Sequence, residues 1–122
     1  MKKSVNEIIN TLYGEDGVSC EPEMAEISEA VRNNDLEERS FQGDLGSLLY
    51  EWNQLNYIPE EKHRLIKKYH CQRIAYFVVR GWNDPIVLRP DGRTIKDGLH
   101  RFKAALFLRK TDVEVIIENL SS

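Results

Sequence analysis

Cysteine is scarce in this 122-residue chain: Cys20 and Cys71 stand far apart, with no CxxC pair. That excludes a disulfide framework and a zinc site built on paired thiols, and both residues are expected as reduced thiols. Long hydrophobic runs are missing too. The longest, Ile74–Val79, has six residues, against the roughly 18 of a membrane span. The basic start Met1-Lys2-Lys3 has no apolar segment behind it, so a cytoplasmic protein without a membrane role is expected. Ser4 and Ser19 have no visible base or orienting partner, which removes support for a Ser/His/Asp enzyme. No internal repeat or low-complexity stretch is visible. The length fits one domain on a prior of about 150 residues each. The 41% hydrophobic content suffices for a modest core and argues against disorder driven by composition.

Charge is unevenly placed. Residues 1–60 carry 4 Lys/Arg against 13 Asp/Glu, a balance of −9, while residues 61–122 carry 13 against 7, a balance of +6. Two explanations are open. The halves attract and pack on each other, or the basic half offers a surface to phosphate or nucleic acid.

The first half reads as helices. Val5, Ile8, Ile9, Leu12 and Tyr13 follow helical spacing, and Gly14 with Gly17 ends the pattern. Ser19 is a plausible cap for a second helix that carries Met24, Ile27 and Val31 on one face and stops at Asn33-Asn34-Asp35. Asp44 is a cap for a third, with Leu45, Leu48, Leu49 and Trp52 at helical spacing.

In the second half, Pro59-Glu60-Glu61 starts a helix that runs to about Arg80 and stops at Gly81. Pro85-Ile86-Val87-Leu88, the turn Pro90-Asp91-Gly92, and Thr94-Ile95 read as a hairpin-like pair. Leu99 to Arg109 returns to helical spacing, and Val113–Ile117 is a β-branched strand. The succession strand, helix, strand suggests a right-handed crossover. The expected fold is α+β (or small α/β), a short mixed sheet with helices. Residues 1–58 are expected as an acidic helical region packed on a core formed by 59–122, together one compact domain.

The segment Asp97-Gly98-Leu99-His100-Arg101 falls between the strand at Ile95 and the helix from Leu99. Such a junction presents unpaired backbone N–H groups and the positive end of a helix dipole, which suits an anion. Gly98 lets the backbone approach a bound group. Arg101 offers a fork of donors, His100 adds one more, and Lys96 and Lys103 raise the local potential. Structural roles stay open beside these: Arg101 pairing with Asp97 or lying in solvent, and His100 as a satisfied boundary histidine. His63 and His70, seven residues apart, are too widely spaced for the usual metal pair and read as a solvated helix face. Lys62, Arg64, Lys67, Lys68 and Arg73, interleaved with Tyr69 and Tyr76, read either as an ordinary charged face or as an anion patch.

The succession Asp84-Pro85-Ile86-Val87-Leu88, Ile95 through Ala105 with Asp97-Gly98-Leu99-His100-Arg101 inside it, and Val113-Glu114-Val115-Ile116-Ile117 resembles the ParB N-terminal domain and sulfiredoxin superfamily over residues 73–118. The resemblance implies that the strand-to-helix junction binds the phosphates of a nucleotide, with Gly98, His100 and Arg101 on the Gly-x-His-Arg pattern and Asp97 as the acidic residue before it. ParB partition proteins carry Gly-Glu-Arg-Arg there and use it for CTP. Leu99 and His100 depart from that, so CTP specificity is not implied. Sulfiredoxins place a catalytic cysteine where this chain has Leu99, which is no nucleophile, so sulfinic-acid reduction is not expected. Other relatives with Asp-Gly-x-His-Arg are free-serine kinases.

The expectation is therefore a phosphate- or nucleotide-binding domain. Gly98, Leu99, His100, Arg101 and Lys103 hold phosphate, Asp97 is the catalytic or metal-binding group, and the set Lys62, Arg64, Lys67, Lys68 and Arg73 stays partly exposed near the junction. A nucleoside triphosphate with Mg2+ is the implied cofactor, without a metal site of the protein's own. Nucleotide hydrolysis or phosphoryl transfer is the natural chemistry, and whether the chain is an enzyme stays open. One alternative is an interaction module, an inhibitor or adaptor of the kind carried by phages and plasmids, docking through its acidic half. A second is a DNA-binding accessory protein.

Overall fold

β-Branched and apolar residues alternate along Val113-Glu114-Val115, and this period of two organises the fold: Val113 and Val115 point into the core, while Glu114 and Ile116 face out. A computed structural model of the chain describes residues 1–9, 22–38 and 60–118, with the side chains of 60–63, 65 and 66 excepted. The described elements are β1 (Lys2–Ser4), a 3-10 turn (Val5–Glu7), α1 (Met24–Arg32), α2 (Glu60–Arg80), β2 (Ile86–Leu88), β3 (Ile95–Asp97), α3 (Leu99–Phe107) and β4 (Asp112–Ile117). The strands form one mixed sheet in the order β1-β4-β2-β3, so the fold is α+β.

The β2–β3 hairpin forms as expected. Asp91 holds its turn: Oδ1 accepts from the backbone N–H groups of Arg93 and Thr94 at 2.8 and 2.9 Å, and Oδ2 accepts from the Thr94 hydroxyl at 2.7 Å. Those bonds keep the Asp91 carboxyl down at about 2. β2 also runs parallel to β4, pairing Ile86 with Val115 and Leu88 with Ile117. Since β3 is antiparallel to β2, α3 joins strands that run in opposite directions. The parallel crossover is instead the longer path from β2 through β3 and α3 to β4.

The expected helix over Val5–Tyr13 is not formed in its described part, residues 5–9; the rest lies outside the described residues. Lys2–Ser4 pairs antiparallel with β4, Lys3 opposite Val113. Ser4 caps the 3-10 turn by accepting from the Asn6 N–H at 3.3 Å. Ile8 then enters the core, and Ile9 bridges Thr94 beside β3, with the Ile9 N–H donating to Arg93 O at 2.8 Å. A short run rich in β-branched residues is a marginal helix in water, and the open edges of the sheet offer its backbone better partners. The N-terminal segment thus serves both edges of the sheet, and the division expected at residue 58 is crossed by it.

α1 matches its reading on the Met24, Ile27 and Val31 face and at its stop, but it begins at Met24 with Glu23 as its N-cap, later than a cap at Ser19 would start it. The Glu23 N–H donates to Glu26 Oε1 at 3.0 Å at its start, and Asn34, at φ 53°, ends it with Asn34 N–H on Val31 O and Asp35 N–H on Ala30 O. The proposed cap Ser19 and the Asp44–Trp52 helix lie outside the described residues. α2 ends at Gly81, whose φ of 73° and N–H bond to Phe77 O close the last turn. α3 carries the core on two faces. Phe102 and Ala105 meet Ile86, Leu88, Ile95 and Val115 of the sheet. Ala104 meets Ala75 and Ile74 of α2, which in turn covers Ile27 and Ala30 of α1. Fully buried alanines on both helices, Ala75 and Ala104, let α2 and α3 approach closely, and that closeness shapes the junction.

Candidate functional site

β3 ends at Asp97 and the chain turns into α3 through Gly98, at φ 102° and ψ 23°. A Cβ at Gly98 would lie 3.0 Å from Arg101 Nη2 and 3.2 Å from Ile86 Cγ1. Glycine is required twice over, by the left-handed backbone and by the guanidinium laid across it. Arg101 Nη1 donates to the carbonyls of Asp84 and Pro85, both at 2.9 Å, and Nη2 reaches Asp97 Oδ2 at 3.5 Å. Arg101 therefore ties the entry of β2 to the start of α3. Carbonyls satisfy its donors but carry no charge, and the Asp97 side chain is 75% exposed against 12% for Arg101. The guanidinium keeps most of its positive field.

His100, in the first turn of α3, points toward α2. Its Nε2 lies 2.7 Å from His70 Nδ1, and the two rings stand 5.0 Å apart with the Tyr69 ring edge-on to both. Burial pushes His100 down to about 3, and the neighbouring His70, Arg73 and Arg101 push the same way. His100 is thus a neutral imidazole at pH 7. The reading of His70 as a solvated residue is corrected: it is half-buried and paired across the helix interface. His63's side chain lies outside the described residues.

Arg73, one turn beyond His70, closes the site from α2. Its Nη1 donates to the backbone carbonyls of Glu37 and Glu38, and its Cζ lies 4.6 Å from the Phe77 ring centroid. Again neutral groups hold a full charge. Arg73, Phe77, Lys96, Asp97, Gly98, Leu99, His100 and Arg101 enclose a cleft of about 170 Å³. Lys96 also pairs with Glu118 at 2.5 Å. Lys103 lies half-buried one turn further along α3. The cleft suits a phosphate-sized anion, and it is smaller than the roughly 300–1,000 Å³ of sites that enclose a whole organic ligand.

The expected anion patch is divided. Arg73 reaches the junction. Arg64, Lys67 and Lys68 instead line a groove of about 270 Å³ between α1 and α2, together with Glu26, Glu29, Asp35 and Cys71. Lys67 pairs there with Glu26 at 3.1 Å. Arg64 and Lys68 are exposed, but they line this groove and not the junction, so the part of the set found at the junction is Arg73; the Lys62 side chain lies outside the described residues. The helical period explains the split, since residues 64, 67, 68 and 71 share one face of α2 and 70, 73 and 77 another. That period was readable in the sequence. Which face meets α3 was not, so His70 was missed and Arg73 was grouped with the wrong neighbours.

Cys71 is buried, and burial pushes its thiol up to about 11, with Glu26, Asp35 and Glu29 adding to the effect. A thiol held protonated is a poor nucleophile. Among the described residues, no three His, Cys, Asp or Glu side chains converge to hold a metal ion. Magnesium entering with a nucleotide would find Asp97 as the exposed carboxylate of the cleft. Among those residues too, no helix is long and apolar enough to cross a membrane. No protein family, curated protein or solved structure matches the chain.

Proposed function

We propose that the protein binds a phosphate-bearing ligand, with a nucleotide as the leading class, at the start of α3. The observation that carries this is the phosphate-sized cleft lined by Arg73, held by neutral carbonyls, and Arg101, held by neutral carbonyls and by a 3.5 Å pair with the largely exposed Asp97. The first backbone N–H groups of α3 and its dipole add to the same field. Gly98 opens the approach, Leu99 and His100 form the floor, and Lys96 stands at the rim. In this reading Arg101 and Arg73 are electrostatic walls rather than free forks. Among the described residues that line the cleft, Asp97 is the one carboxylate, and it would serve a metal-bound phosphate or proton transfer. A nucleotide would place a phosphate in the cleft and leave its remaining parts outside it. The DNA-binding alternative is weaker, because Arg64, Lys67 and Lys68 alternate with Glu26, Glu29 and Asp35 instead of forming a basic face.

Calorimetric titration of the full chain with the four ribonucleoside triphosphates, with and without magnesium, tests the proposal. Weaker binding in Arg73→Gln is expected, since the variant removes one of the two positive charges beside the cleft. Wild-type protein that binds none of them at millimolar concentration overturns it.

A further inference from the structure

The His70–His100 pair occupies one wall of the proposed anion site without being explained by anion binding. His100 lines the cleft, and its Nε2 is turned away to His70. In the neutral pair one ring donates and the other accepts. An added proton charges one ring yet leaves that hydrogen bond intact. Burial opposes protonation first, and the partner ring, Arg73 and Arg101 add to it. Among the described residues, α2 contributes Tyr69 and Arg73, α3 contributes Arg101 and, a turn away, Lys103, and β3 contributes Lys96 and Asp97. The segment after α1 contributes Glu37, which acts on Tyr69. Arg73 and Arg101 act directly on the pair, both with their charge uncancelled by the carbonyls they hold.

An anion in the cleft would sit beside these same two guanidinium groups and offset much of the positive field at His100. We infer that the His70–His100 pair is a proton-linked sensor of the anion site: ligand binding draws one proton onto the pair, and acid in turn tightens the ligand. This rests on the phosphate-binding reading above. Linkage makes the two effects equal, so the affinity gain on acidification and the proton taken up on binding report one coupling. The pair is also a positioning device, since His70 sets which nitrogen of His100 is free and how its ring lies against the cleft.

Sulfate is the probe that isolates the effect, because it carries no proton that titrates near neutral pH. The full chain would be titrated with sodium sulfate between pH 7.5 and 5.5, at constant ionic strength, in buffers of differing ionisation enthalpy. The expected result is net proton uptake on sulfate binding that grows toward pH 5.5, with an affinity that rises as the pH falls by less than about tenfold per pH unit. His70→Gln, at a position outside the cleft lining, should bind sulfate with the uptake largely abolished. Ring chemical shifts in the wild-type protein should show the added proton on His70 or His100, which keeps the test independent of the variant's folding. Sulfate binding with no proton uptake, or with uptake located at another group, overturns the inference and leaves the phosphate site standing. No sulfate binding across this range overturns both.

Discussion

At the scale of single residues, the junction is held by a glycine and an arginine that need each other. Gly98→Ala forces a side chain into a positive φ and against the Arg101 guanidinium. A loss of about 1–3 kcal/mol is expected for such strain, measured by urea denaturation. Arg101→Lys should lose less, about 0.5–1.5 kcal/mol, because an ammonium cannot serve the exposed Asp84 and part-buried Pro85 carbonyls as a flat fork does. Cys71 provides a contrasting test. With its thiol pushed up to about 11 by burial, it should be alkylated far more slowly at pH 8 in the native protein than in the unfolded chain. Rapid native-state modification would contradict its burial.

At the scale of elements, each helix and turn has an identifiable fastening. Ile27 is fully buried where α1 meets α2, so Ile27→Ala should destabilise the protein by about 2–5 kcal/mol, the range for emptying such a site. A smaller loss would mean that α1 settles into the space. The hairpin depends on Asp91, whose carboxylate holds both Arg93 and Thr94. Asp91→Ala should speed amide exchange at those two residues, while Asp91→Asn should preserve the Oδ1 bonds and much of the protection. Most of this scale was legible in advance. The end of α1 at Asn33-Asn34, the stop of α2 at Gly81, the turn at Pro90-Asp91-Gly92 and the strand from Val113 all rest on local chemistry that neighbouring residues carry. The N-terminal arm was not legible. Its apolar spacing admits a helical turn as readily as a strand, and the choice was made by the unpaired edges of a sheet formed more than 80 residues later in the chain.

At the scale of the whole molecule, α2 packing on α3 turns two histidines into one titrating unit. His100 lies at about 3 in the folded protein and near 6.5 when unfolded. The unfolded state therefore binds the proton first. The stabilising contribution is complete above about pH 6.5 and is lost progressively as the pH falls toward 3. The unfolding constant should rise by up to about tenfold per pH unit in that window. Measurements between pH 6.5 and 5 avoid most carboxylate titration. His100→Gln should flatten the profile there, and a wild-type profile already flat over that interval would show that the pair does not resist protons.

The sequence by itself determined the α+β class, the places where helices and turns stop, the glycine at the head of α3, and the uneven charge of the two halves. Each of these depends on a residue's own backbone preference or on its near neighbours. Tertiary structure decided the rest. It set the strand order, placed residues 2–9 at both edges of the sheet, and chose which face of α2 meets α3. That last choice brought His70 to His100 across 30 residues, gave Arg73 to the cleft, and sent Arg64, Lys67 and Lys68 to the acidic side of α1. Helical periodicity assigns residues to faces but not faces to neighbours. Neighbours are settled only when the whole core closes, here around the small buried side chains of Ala75 and Ala104.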